Sequence, residues 1–264
     1  MKLFSLFLLL IILPLSSKED KKFVIVIPSY NNEKYINKNL NSALNQDYEN
    51  YEIIYIDDAS KDKTYEKALE ILSSQNKVPY QLIRNAENKG AMENIYNAVS
   101  NLEKDDIVVT VDGDDWLANK NVLNILNNTY FQKNVWLTYG NYMSFPNLEK
   151  TICESIPSKI IRLNNFRNYK WVSSHLRTFY AGLFQKIKKQ DLMHQNEFMD
   201  VTWDQAFMYP MLEMAGNRFQ YIKQILYIYN VESPINDFKI KLEKQKNMEK
   251  YIRGLPKYEK IDNF

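Results

Sequence analysis

"FVIVIPSYNNEKYINKNLNSALNQDYENYEIIYIDD", residues 23–58, carries two short apolar runs separated by a longer amphipathic stretch. The runs at 23–28 and 51–57 are β-branched and apolar on consecutive residues. Strands buried on both faces read this way, whereas strands with one wet face alternate. Between them, "NEKYINKNLNSALNQ" (32–46) repeats its apolar residues at three- and four-residue spacing, the mark of a helix with one packed face. The same alternation continues through a helix in "KDKTYEKALEILSSQ" (61–75), a strand in "YQLIR" (80–84), a helix in "GAMENIYNAVSNLE" (90–103) and a strand in "DIVVTVD" (106–112). Strand and helix in strict turn predict an α/β fold with a doubly wound, mostly parallel sheet and right-handed crossovers.

Beyond residue 112 the pattern loosens. Residues 119–131 read as a helix, and "VWLTYGNYMSF" (135–145) alternates like an antiparallel strand, which predicts a smaller antiparallel region beside the main sheet. "DVTWDQAFMYPMLEMAG" (200–216) is helical in composition, with Pro210 kinking or dividing it and Gly216 as a stop. Residues 218–230 supply one or two further strands, and a charged tail, helical or unordered, follows a globular unit expected to span 18–234.

The chain has 264 residues and a formal net charge of +2. That leaves no basic field to hold a nucleic-acid backbone, so nucleic acid is not an expected partner. A single cysteine, Cys153, excludes an intrachain disulfide framework and a thiolate metal cluster, and is expected to be buried. The first residues, "MKLFSLFLLLIILPLSSKEDKK", follow the order of a secretory signal: Lys2, an apolar block at 3–15, then Ser16 and Ser17. The block is shorter than the roughly 20 residues that cross a bilayer comfortably, which favours a cleaved signal (1–17) over a retained anchor. A mature protein without a membrane span, in a secretory lumen or outside the cell, is the expectation. The sequon Asn127-Asn128-Thr129 agrees with that address.

In open α/β sheets, ligands bind beyond the carboxyl ends of the strands. Here the first strand runs into Pro28-Ser29-Tyr30-Asn31, the second into Asp57-Asp58-Ala59-Ser60 and the fourth into Asp112-Gly113-Asp114-Asp115. No glycine-rich phosphate loop follows the first strand, and the chain has only six glycines, so backbone cradling of phosphate is not expected. Carboxylates by themselves repel phosphate. A hard divalent cation, Mn²⁺ or Mg²⁺, held by one or two of them and by phosphate oxygens removes that repulsion. Gly113 is expected to keep the turn tight. A solvated Asp-rich turn accounts for the cluster alone, but not for its coincidence with the two other polar strand ends.

These residues resemble the family 2 glycosyltransferases, enzymes of GT-A fold that use nucleotide-diphosphate sugars. Residues 24–64 are similar to their opening nucleotide-binding segment, "NKGAMENIYNAV" (88–99) to the helix start after the third strand, and "VDGDDWL" (111–117) to their metal-binding D-x-D region. The resemblance implies that Pro28 and Tyr30 flank the base, that Asp58, with Asp57, accepts a hydrogen bond from its ring nitrogen, and that Asn88 belongs to the donor site. An acidic acceptor suits uracil or guanine, which present ring N–H donors. It also implies that Asp112 faces the ribose or sugar and that Asp114 or Asp115 holds the metal. Inversion at the anomeric carbon needs a carboxylate base, and "TWDQAF" (202–207) places Asp204 at that point, with Asp200 as the rival and Trp203 as a sugar-stacking face. In "SSHLRTF" (173–179), His175 is a candidate for the metal shell and Arg177 for neutralising the diphosphate; His194 is expected to be structural. The implied partners are a nucleotide-diphosphate sugar, UDP foremost, and a glycan, protein or lipid hydroxyl. A nucleotidyltransferase would need a glycine- and basic-rich first loop, which "PSYNNEKY" (28–35) lacks. A non-catalytic nucleotide-sugar or glycan-binding module is the remaining alternative.

Overall fold

The computed structural model describes residues 20–149, 151–233 and 242–264. The segment read as a signal, 1–17, lies outside them. Among the described residues, no helix is long and apolar enough to cross a membrane.

The first half is built as its periodicity demands. Strands β1 (Phe23–Ser29), β2 (Tyr51–Asp57), β3 (Tyr80–Arg84) and β4 (Ile107–Thr110) alternate with helices α1 (Ile36–Leu44), α2 (Thr64–Ser73) and α3 (Gly90–Ser100). Then come β5 (Trp116–Leu117), α4 (Val122–Lys133), β6 (Leu137–Phe145), α5 (Ser158–Arg162), β7 (Thr178–Tyr180) and α6 (Ala181–Gln185). A two-stranded hairpin, β8 (Met193–His194) with β9 (Glu197–Phe198), precedes α7 (Trp203–Ala215), β10 (Phe219–Asn230) and α8 (Leu242–Gly254). Eight strands form one sheet in the order β3-β2-β1-β4-β7-β6-β10-β5. β1 pairs in parallel with β2 and β4, β2 with β3, and β10 with β6, while β7 runs antiparallel to β4 and β6.

Because side chains alternate across a strand, β1 feeds two cores. Phe23, Ile25 and Ile27 meet the residues that α1, α2 and α4 turn inward, whereas Val24 and Val26 meet those of α3, α6 and α7. This is why both strand runs are apolar without interruption. The third run departs from the expectation of two buried faces: β3 is the sheet edge, and Tyr80 and Ile83 are more than one third exposed. A strand with one neighbour and no full helical cover leaves its side chains in water.

Within 135–145 a strand does form, at Leu137–Phe145, but it pairs in parallel with β10 as well as antiparallel with β7, so alternation alone did not reveal its partners. Pro210 does not divide α7, whose residues 205–215 are all buried and held by packing rather than by an unbroken hydrogen-bond ladder. Residues 218–230 give a single strand with bulges after Ile222 and Ile225. Cys153 is buried. The sequon does not present a free amide: Asn127 is 3% exposed within α4 and donates to Asp20 while accepting from the Lys21 N–H.

Within the segment read as a charged tail, α8 (Leu242–Gly254) is docked on the body through Met248 and Ile252. A buried ion pair fixes it there. Arg167 and Glu213, 2% and 0% exposed at the side chain, make a two-pronged contact at 2.7 and 2.9 Å. Arg167 also donates to the Ile252 carbonyl at 2.6 Å, and the Tyr258 N–H donates to Glu213. Removing one member strands the other charge in a dry site. Glu213→Ala is therefore expected to lower stability by about 3–5 kcal/mol, read as a lower denaturant midpoint at unchanged slope; a loss under ~1 kcal/mol would show the pair to be dispensable.

Candidate active site

The acid loop between β4 and β5 is fastened on three sides. Asp115, with no exposed surface, accepts hydrogen bonds from the Tyr227 hydroxyl and the Asn230 N–H, both at 2.7 Å. The same hydroxyl accepts from the Asp112 N–H at 3.1 Å, so one tyrosine of β10 ties both ends of the loop. From α1, the Asn39 side-chain amide donates to the carbonyls of Asp112 (3.0 Å) and Asp115 (2.8 Å). Gly113 does its work by size and not by turn geometry. Its φ is not among the positive ones, but a Cβ there would lie 2.6 Å from the Ser29 Cβ and closer still to its hydroxyl. The end of β1 thus packs directly on the acid loop.

This junction opens into a cavity of about 800 Å³ whose wall includes Pro28, Tyr30, Asp58, Asp112, Asp114, His175, Arg177, Trp203 and Asp204. Nine expected site residues from five segments therefore converge. Three wall turns carry non-glycine residues at positive φ: Asn31 (53°), Ala59 (59°) and Thr202 (55°). Such left-handed turns cost energy for residues with a Cβ and persist where the surroundings hold them.

Asp58 lies on the wall, but its oxygens already accept from the Asn85 amide (2.7 Å) and from the Lys89 and Gly90 N–H groups (2.9 and 2.8 Å). The carboxylate thus seats the positive end of α3, whose first residue adopts φ 81°. Asp57 does not line the cavity. It is fully buried, accepting from the Ser60 N–H with Arg84 3.8 Å away. Asn88 also faces elsewhere: its side chain donates to the Asp58 carbonyl, and it lines a second cleft between α3, the hairpin and α8. Neither Asp57, expected with Asp58 at the base, nor Asn88, expected in the donor site, lies on this cavity; Asn88 instead braces the Asp58 backbone.

Asp112, Asp115 and His175 each offer one ligand atom, all within 4.8 Å of one another. Asp114 is on the cavity wall outside that tight group. Burial, then repulsion from Asp114 and Asp112, pushes the Asp115 carboxyl well above the usual range. His175 is stacked on Tyr227 (4.5 Å between centroids) and Tyr229 (5.3 Å), and burial, reinforced by Arg177, holds its pKa well below the ordinary value. It is a neutral imidazole whose buried Nδ1 has no hydrogen-bond partner among the described residues. Crowded carboxylates beside an unpartnered neutral nitrogen fit a divalent cation.

Arg177 is 1% exposed and sits between two acids: Nη1 is 3.1 Å from Asp204 and Nη2 is 3.9 Å from Asp112. The Trp203 ring covers its guanidinium at 5.3 Å. It lies on the cavity wall, engaged with two carboxylates, where the sequence led to the expectation that it neutralises a diphosphate. Asp204, at the first turn of α7, keeps about one fifth of its side chain exposed to the cavity. Burial raises its pKa, against the pull of Arg177. Asp200, the rival base, is exposed and bound to Lys244, away from the cavity. His194 packs edge-on against Tyr251, a structural contact. Sequence reading missed Gln245, Lys246 and Glu249 of α8, which close the cavity from the C-terminal side; the four-residue spacing of Met248 and Ile252 was the one available sign that this helix docks.

The chain is similar to known proteins in sequence and in fold. A relative in Escherichia coli, "UDP-Glc:alpha-D-GlcNAc-diphosphoundecaprenol beta-1,3-glucosyltransferase WfgD", is 34% identical over 125 residues, 47% of this chain and 47% of that one. The chain spans about half the length of the curated relatives it matches. Among solved structures, residues 1–349 of S. aureus TarS in complex with UDP-GlcNAc superpose with a TM-score of 0.63 at 19% identity, covering 88% of this chain and 65% of that one. The mannosyltransferase PcManGT from Pyrobaculum calidifontis, in complex with GDP-Man and Mn²⁺, gives 0.61 at 17% identity, covering 91% and 67%. These last two establish the shared GT-A fold. The family described as Glycosyl transferase family 2 matches residues 24–192, and with the strand-end motifs inside that span gathered on one cavity, the chain belongs to that family.

Proposed function

We propose that this protein transfers a sugar from a nucleotide diphosphate, UDP foremost, to a hydroxyl of a glycan, protein or lipid acceptor, with inversion at the anomeric carbon. The observation that carries the reading is the meeting, in one cavity, of a base-side wall (Pro28, Tyr30, Asp58), an acid loop (Asp112, Asp114) and a separate carboxylate, Asp204. Family membership and the nucleotide-sugar complexes of structural neighbours support the donor class. The signal-like N-terminus supports a lumenal or secreted address.

Asp112 and His175, with Asp114 or Asp115, would hold Mn²⁺ or Mg²⁺. Such an ion supplies the positive charge that stabilises a departing diphosphate. Tyr30 and Pro28 would bracket the base, while Asp58, kept rigid by α3, presents its remaining acceptor capacity to a ring N–H. Asp204 would take the proton of the attacking hydroxyl, and Trp203 would lie against the acceptor sugar. Lys246 adds a cation on the same wall.

Asp204→Asn tests the catalytic reading against a purely binding module. Turnover at saturating Mn²⁺ is expected to fall about 100- to 10,000-fold with UDP affinity, measured at the same saturating Mn²⁺, unchanged; full turnover in the variant would remove Asp204 from the mechanism. Since burial raises the Asp204 pKa and the base acts deprotonated, kcat/KM should fall with decreasing pH through a value above the ~3.9 of an ordinary aspartate. A profile flat down to pH ~4 would contradict this. Chelation is expected to weaken UDP binding measured by calorimetry, with Mn²⁺ restoring it in the unmodified chain and not in Asp112→Asn; equal UDP affinity with and without the ion would exclude a cation-bridged diphosphate.

A further inference from the structure

We propose that Arg177 is the resident counter-charge of the acid loop, a positioning residue whose guanidinium competes with an incoming divalent cation for Asp112 and so couples the cation site to Asp204. The inference rests on the donor-site reading above.

One guanidinium faces two carboxylates from distant segments, Asp204 at 3.1 Å and Asp112 at 3.9 Å. It is held in place: the Thr110 N–H donates to the Arg177 carbonyl at 3.3 Å, and the side chain is 1% exposed beneath Trp203. Its Nε is buried with no partner among the described residues, so its fit is set by the two acids and not by a saturated hydrogen-bond shell. Arginine does not shed its proton in proteins, so this charge is permanent. Beside a buried guanidinium, like charges a few ångströms apart interact more strongly than in bulk solution. A cation reaching Asp112 must work against Arg177 until the diphosphate contributes negative charge.

Two opposite effects follow. Deleting the guanidinium removes one positive charge that a cation at Asp112 must work against. Deleting the Asp204 charge leaves Arg177 to Asp112 alone and opposes the cation, although Asp204 is not one of its ligands. A merely structural role for Arg177 predicts weaker metal binding in both variants, so the tightening in Arg177→Met is the result that separates the two.

The test is titration of the full chain with Mn²⁺ alone, free ion being read by electron paramagnetic resonance, without nucleotide and then with UDP. Arg177→Met is expected to tighten Mn²⁺ binding about 5- to 150-fold, the usual span of a coupling between neighbouring sites, and Asp204→Asn to weaken it. Unchanged or weaker binding by folded Arg177→Met, or unchanged or tighter binding by Asp204→Asn, overturns the proposal. If Arg177→Met fails to fold, as circular dichroism would show, Arg177→Gln takes its place under the same expectation of tighter Mn²⁺ binding, and the same results overturn the proposal. Absence of Mn²⁺ binding by the unmodified chain both with and without UDP overturns the donor-site reading itself, a result distinct from either variant's.

Discussion

The buried carboxylate of Asp115 is the constraint on which the rest of the site depends. It accepts from Tyr227 and Asn230 of β10 while its own chain continues from β4, so one residue joins the parallel half of the sheet to the strand beyond β7 and β6. A fully buried carboxyl is costly unless hydrogen-bonded, and both of its oxygens are. The loop it anchors can then carry Asp112 and Asp114 into the cavity without moving. The close packing of β1 on Gly113 sets the distance between the base-side wall and the acid loop.

Charge balance explains the remaining arrangement. Asp112, Asp114 and Asp115 lie within four positions, and the fixed positive charge beside them, Arg177, is shared with Asp204. The nearby imidazole is neutral, held so first by burial and then by that same arginine. Asp112, Asp115 and His175 each bring a ligand atom within 4.8 Å of the others, a donor set that suits a divalent ion. The two carboxylates of the reaction stay distinct because one group sits on the acid loop and the other at the start of α7.

The parallel half of the fold was legible because each strand is apolar on consecutive residues and each helix repeats its apolar face, both local patterns. The far half was not. β7 is three residues long, too short to show a period, yet it separates β4 from β6 and turns the sheet antiparallel there. β6 alternates as expected but pairs in parallel with a strand more than seventy residues later, a partner that periodicity does not name. The site shows the same division. Pro28, Tyr30, Asp58, Asp112 and Asp114 were readable because a strand end places its next few residues at the rim. Asp57 and Asn88 follow the same motifs, but one turns inward and the other faces a neighbouring cleft, a choice made by side-chain packing. The commitment of Arg177 to two acids and the wall contributed by α8 are products of tertiary structure alone.

The account stands on the claim that the acid loop is a cation-dependent seat for a nucleotide diphosphate. A crystal grown with Mn²⁺ and UDP, with anomalous scattering recorded at the manganese edge, tests it most directly. The account predicts a manganese peak at the Asp112–His175 group and UDP in the cavity beside Tyr30 and Asp58. A vacant cavity, or manganese and nucleotide bound only elsewhere on the protein, would contradict it.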